Sequence, residues 1–290
     1  MKRAGINLIA ISCILLGIVG IFIFGIGGVS SSGSGASRLD TYSYSYDIDA
    51  SLAELGVHAD QADVHIRWVW DEQNRIELTG QSTKAVINRL ANAGVHNGKL
   101  EIDYGYKEKL WEKIKLFDLG GTHHQHELII HASPDMVLRE LDVDIDLGDF
   151  TLEGGAYSKV EVDSNMGDMN LQQMKADIVS LNTDAGDILT DQVDAVVQVE
   201  SSLGEVSLRQ TTQSVEVESS MGDVNIGQSH SHNITVDSSM GDVDIKVSPD
   251  FEGRYDLKAS LGDIRAPGSN MSGNHVIKVN SSAGDIDITQ

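Results

Sequence analysis

Eight carboxylates recur in one setting along the second half of the chain. Asp149, Asp168, Asp187, Glu205, Asp223, Asp242, Asp263 and Asp285 each follow a glycine and precede an apolar residue. Two kinds of chemistry suit them. A carboxylate in a turn accepts backbone N–H groups of that turn, with Ser219, Ser220 and their equivalents assisting. Stacked carboxylates also supply oxygen ligands for a hard cation such as Ca²⁺, which makes the same eight residues a candidate metal column. The calcium-roll repeat is a nonapeptide with several glycines, a poor match to one glycine about every 19 residues. His123, His124, His126 and His131 form a second cluster that could hold Zn²⁺, although no cysteine accompanies them. A solvated loop is the competing reading, and it extends to His230 and His232. The longest segments between repeats, Pro249 to Arg254 and Pro267 to Asn274, offer no paired acid and base, so no catalytic or cofactor-binding residue is assigned.

The carboxylates are set by their glycines: Gly148, Gly167, Gly186, Gly204, Gly222, Gly241, Gly262 and Gly284, at spacings of 19, 19, 18, 18, 19, 21 and 22. Seven and five residues before each glycine stands an apolar or β-forming residue, such as Val215 and Val217 before Gly222, with polar residues between. The alternation resumes after the glycine, with Val224 and Ile226 flanking Asn225. A period of two means strands with one buried face. A repeat of this length is too short for the helix of a βαβ unit, so successive copies must stack in parallel. The expected fold is all-β: a parallel β-solenoid of about eight coils, right-handed by the crossover rule, with a length of roughly 35 to 40 Å. Five inward columns are expected. One of them is the residue just before each glycine (Leu147, Met166, Ala185, Leu203, Met221, Met240, Leu261, Ala283), with the glycine turning the corner at positive φ.

The chain has 290 residues, 44 acidic against 21 basic, for a formal charge of −23. That balance excludes a nucleic-acid partner bound by counterion release. A single cysteine, Cys13, excludes an intrachain disulfide framework. Leu8 to Val29 is an apolar run long enough to span a bilayer as a helix, and Lys2 and Arg3 before it put the N-terminus in the cytoplasm and the remainder outside. Cleavage within Ser30 to Ser37, or lipidation at Cys13, are the other readings of this end. The expected organisation is a cytoplasmic tip and anchor (1–29), a Ser/Gly linker (30–38), an N-terminal β region (39–133) and the repeat solenoid (134–290).

In the 39–133 region Tyr42, Tyr44 and Tyr46 alternate with serines as a strand, and Val57 to Ile66 mimics a coil with alanine in place of glycine. Further strands are expected at Arg67 to Trp70, Arg75 to Leu78, Lys99 to Tyr104 and Glu127 to His131. Residues Lys107 to Phe117 form a basic amphipathic stretch, read either as a flap over a solenoid end or as a contact for a membrane or anionic polymer.

The units Val215 to Ile226 and Ile234 to Ile245, together with the apolar N-terminus, resemble the bacterial adhesin-type β-strand-repeat family. The layout is similar to its LiaG-type members from Gram-positive envelope-stress operons. The resemblance covers roughly residues 40–290 and implies a membrane-tethered cell-surface protein without an established activity, hence no catalytic residue. The expected function is a non-enzymatic, membrane-anchored extracytoplasmic solenoid that contacts an envelope component or partner protein. The alternatives are a calcium-binding solenoid and a polysaccharide-active β-helix enzyme. The last coil, ending at Gln290, has no visible cap, so self-association through that open end is a further expectation.

Overall fold

Alternating strands and glycine corners dominate the computed structural model, which describes residues 39–48, 52–105, 124–268 and 273–290. The N-terminal elements are β1 (Asp40–Asp47), β2 (Glu54–Ala59), β3 (Ala62–Trp70), β4 (Arg75–Ser82), a short helix Lys84–Leu90, β5 (Lys99–Asp103) and β6 (His124–Ala132). Strand pairs then flank successive glycines. They are β7 (Leu138–Leu147) with β8 (Phe150–Glu153), β9 (Tyr157–Met166) with β10 (Met169–Gln172), β11 (Lys175–Ala185) with β12 (Ile188–Asp191), and β13 (Asp194–Ser201) with β14 (Val206–Thr211). The series continues with β15 (Val215–Ser219) and β16 (Val224–Gln228), β17 (Ile234–Met240) and β18 (Val243–Lys246), β19 (Gly253–Ala259) and β20 (Ile264–Arg265), and β21 (His275–Ala283) and β22 (Ile286–Thr289).

The strand before each corner joins a 10-stranded sheet, and the strand after it joins a 12-stranded one. Coil-to-coil pairing is parallel and in step: Val215 lies beside Ile234 and Val197, and Val224 beside Val243 and Val206. Among the described strands, antiparallel partners are β1 with β4 and β4 with β6, at one end of the larger sheet. The fold is therefore an all-β solenoid, with Leu39–Gln290 as one unit. Both sheets run unbroken past residue 133, because β2 and β3 pair directly with β7 and β8.

Coil order departs from chain order at both ends. The C-terminal pair β21/β22 inserts between β17/β18 and β19/β20. The exposed edge is therefore Gly253–Arg265 and not the chain's last residues, which corrects the expected open end at Gln290. At the other end β2/β3 lies inside β5/β6, which forms a further outer coil. The structure thus adds two coils to the eight repeats, about 43 Å of stacking over nine steps.

One of the five expected inward columns is replaced. Outside the edge coil β19/β20, where Ile264 is exposed, the buried columns are those seven and five before the glycine, those two and four after it, and a largely hydroxyl column three before it: Ser164, Thr183, Ser201, Ser219, Ser238 and Ser281. The apolar residue just before the glycine points out instead. Corner glycines stack so closely that a Cβ on Gly222 would lie 1.9 Å from the Gly204 carbonyl oxygen, with φ at +138°. Backbone fills the inner corner, and the preceding side chain is turned to solvent. The five outward-facing members include Met166, at 55 % exposure, and Leu261, at 72 %.

The strands expected in the N-terminal region are present as parts of β1, β3, β4, β5 and β6, with Ala62 in the place of a corner glycine: a Cβ on Gly148 would meet the Ala62 carbonyl oxygen at 2.1 Å. The helix at Lys84–Leu90 was not expected. It buries Val86 and Leu90, and its carbonyls at Ile87 and Leu90 accept the hydroxyls of Tyr44 and Tyr46. The apolar run Leu8–Val29, the linker, Cys13 and the stretch 107–117 lie outside the described residues. No helix among the described residues is long and apolar enough to cross a membrane.

Candidate functional site: the glycine-corner edge

The eight acidic residues form one column, continued by Asp63 in the coil that precedes them. Their carboxylates bond across coils rather than within their own turns. The backbone N–H of Asp168 donates to Asp149 Oδ1 at 2.9 Å, that of Asp187 to Asp168 at 2.9 Å, and that of Glu205 to Asp187 at 2.8 Å. Beyond the middle of the rod, Asp242 donates to Asp223 at 2.9 Å, Asp285 to Asp242 at 2.8 Å and Asp263 to Asp285 at 2.8 Å. Asp149 donates in the same way to Asp63, at 3.0 Å. The amide dipole aimed at each of these accepting carboxylates offsets the like-charge repulsion of a 4.8 Å stack.

The chain places a longer side chain in this column once, at Glu205. Its Oε1 accepts from Asn225 Nδ2 at 2.9 Å, and among the described residues no bond from the Asp223 amide to it is formed. The assistance expected from Ser219 is absent, because that hydroxyl is buried on the inner face. No group of three or more His, Cys, Asp or Glu among the described residues is disposed to hold a metal ion.

Beside this column lies the outward apolar row. On its far side a polar groove of about 490 Å³ is lined by Asp163, Asp184, Glu200, Glu218 and Asp237 with intervening Ser and Asn residues. Asn side chains bridge some of its carboxylates: Asn182 Nδ2 to Asp163 Oδ1 at 2.7 Å, and Asn280 Nδ2 to Asp237 Oδ1 at 2.6 Å. On the 12-stranded sheet, burial and the neighbouring Asp287, Asp242 and Asp223 push the Asp244 carboxyl above the usual range. The edge is thus an apolar ridge between two acidic rows.

Strand alternation splits the expected histidine cluster, leaving His124 and His126 on one face of the strand and His131 on the other. His124, His126 and His131 lie on β6, not on a loop; His123 is outside the described residues. His126 faces the core, with its Nδ1 2.8 Å from the Tyr42 hydroxyl and its ring stacked on Tyr104 at 3.9 Å between centroids. Burial, with the nearby His124, pushes it down to about 3, so it is neutral. His131 faces the opposite way, 3.3 Å from Asp71 and 3.5 Å from Glu77. His230 and His232 lie on the loop between β16 and β17, as expected, but only His230 is exposed: His232 is buried, 3.1 Å from Thr211 Oγ1. Hydropathy alone did not reveal the outward ridge, the hydroxyl column or the Tyr42–His126–Tyr104 stack.

The repeat, the paired sheets and the corner match one family model, Toastrack DUF4097, over residues 52–289. The chain belongs to that family. No curated protein matches it. Among solved structures, this family member is similar to a "putative adhesin" from Parabacteroides distasonis (TM-score 0.44, 11 % identity, covering 86 % of this chain and 97 % of that one). It is also similar to a "putative adhesin" from Bacteroides fragilis (0.40, 14 %, 87 % and 98 %) and a "putative lipid binding protein" from P. distasonis (0.37, 13 %, 87 % and 98 %). These likenesses are too distant to carry a function across.

Proposed function

We propose that this Toastrack protein is a non-enzymatic solenoid held at the outer side of the cytoplasmic membrane by Leu8–Val29, with the N-terminus inside, where it contacts an envelope component or partner protein. This is the LiaG-type layout. The observation that carries the reading is the corner edge, where the same outward unit of apolar residue, glycine and carboxylate recurs coil after coil. A periodic surface of this kind suits an extended partner better than a single reacting centre. Lys2 and Arg3 before the apolar run support the orientation.

Protease treatment of intact cells tests it. With an epitope before Leu8 and another after Gln290, the account expects loss of the second and retention of the first. Protection of both, or recovery of the chain in the soluble fraction, contradicts it.

A further inference from the structure

The corner edge has a composition that selects its occupant. Met166, Leu203, Met221, Met240 and Leu261 are between 47 % and 72 % exposed, with the partly buried Leu147, Ala185 and Ala283 completing the row. Because coils stack in step, these side chains follow one another at about 4.8 Å, a strip of roughly 34 Å over seven steps. A continuous apolar strip on an otherwise charged surface marks a binding face. The column from Asp149 to Asp263 runs along one flank, with Asp149, Asp168, Asp187, Asp223, Asp242 and Asp285 each holding a backbone amide by one oxygen. Glu200, Glu218 and Asp237 face out along the other flank. Both flanks are acidic in a chain of net charge −23.

That charge decides between occupants. A second copy would bring acid against acid, and an anionic lipid surface would be repelled in the same way. A segment with an apolar stripe between rows of Lys or Arg meets both requirements. In helical form about 20 residues span 30 Å, close to the strip's length. We propose that the glycine-corner edge is a docking face for a cationic, amphipathic polypeptide segment. It would seat its apolar side on Met166, Leu203, Met221 and Met240 and its basic side chains on the two carboxylate rows. The inference rests on the surface reading above, since it names the partner class for that edge.

The test uses the full chain and a fluorescent 18-residue Leu/Lys peptide with leucines at helical spacing, together with a scrambled peptide of equal charge. Anisotropy titration is expected to show saturable binding of the first and at least tenfold weaker binding of the second. Added salt weakens both. The quadruple variant Met166→Ser, Leu203→Ser, Met221→Ser, Met240→Ser, with every change on an exposed side chain, loses at least tenfold while its circular dichroism is unchanged. Glu200→Gln with Glu218→Gln loses about threefold. A benzophenone on the peptide's apolar face labels Met166, Met221 or Met240.

Equal binding by the quadruple variant, labels confined to other faces, or no binding by the native chain would overturn the proposal. A dimer in light scattering that the quadruple variant abolishes would also overturn it, in favour of a second copy. So would a tenfold gain on deleting residues 107–117, which would make that basic stretch the occupant. Failure here with the solenoid still cleaved from intact cells removes this inference alone; a solenoid protected on intact cells removes the surface reading.

Discussion

Gly222 shows how much one residue decides at the corner. Its φ of +138°, and the 1.9 Å at which a Cβ would meet the Gly204 carbonyl oxygen, leave no place for a side chain. Gly222→Val should therefore cost more than about 3 kcal/mol in denaturant titration. Asn225→Ala, on the outer face three residues on, should cost less than about 1 kcal/mol, and equal losses would contradict the stacking. Glu205 is the complementary case. Glu205→Asp restores the side chain that caps the next amide elsewhere in the column, and should raise stability by about 0.5 to 1 kcal/mol; a destabilised variant would contradict the ladder. The period of two and the corner glycines were legible in the sequence. Which residue turns outward was not: hydropathy favours Met221 inside over Ser219, but close approach of backbone to backbone overrides it.

Among the elements, β6 carries a group that ties stability to acidity. His126 is neutral when folded, held at about 3 by burial against an ordinary value of 6.5. The folded state resists a proton that the unfolded state accepts. Its contribution is complete above roughly pH 6.5 and declines as pH falls toward 3, by a few kcal/mol in all. Replacing it by His126→Gln should flatten the fall in melting temperature between about pH 7 and pH 4, and an unchanged acid limb would contradict the assignment. The strands β1 and β3 to β6 could be read from alternation, but the helix Lys84–Leu90 could not, because its apolar residues Ala85, Val86, Ile87 and Leu90 span only two turns and its preceding Thr83 makes no side-chain cap.

At the largest scale, the Leu39–Gln290 unit is a stack whose chain order and spatial order differ at the ends. Sequence spacing hinted at this, since the last two intervals widen to 21 and 22 residues, yet nothing local shows that β21/β22 slots in ahead of β19/β20. The outer coil β5/β6 was hidden for a related reason: its strands are separated by residues 104–123 in place of a short glycine corner. Deleting residues 274–290 should therefore release β19 and β20 as well, with loss of amide-exchange protection across Gly253–Ala259; retained protection there would mean that β19 stacks directly on β17.

Solvent accessibility at the corner tests the central claim most directly. In a Cys13→Ser background, Met221→Cys and Ser219→Cys place single thiols two residues apart on β15 and the corner that follows it. The account predicts that the thiol at 221 reacts with a maleimide as fast as an unfolded control, while the thiol at 219 reacts only as the rod unfolds. The reverse pattern would put the apolar row inside and the hydroxyls outside, and the outward ridge would not exist.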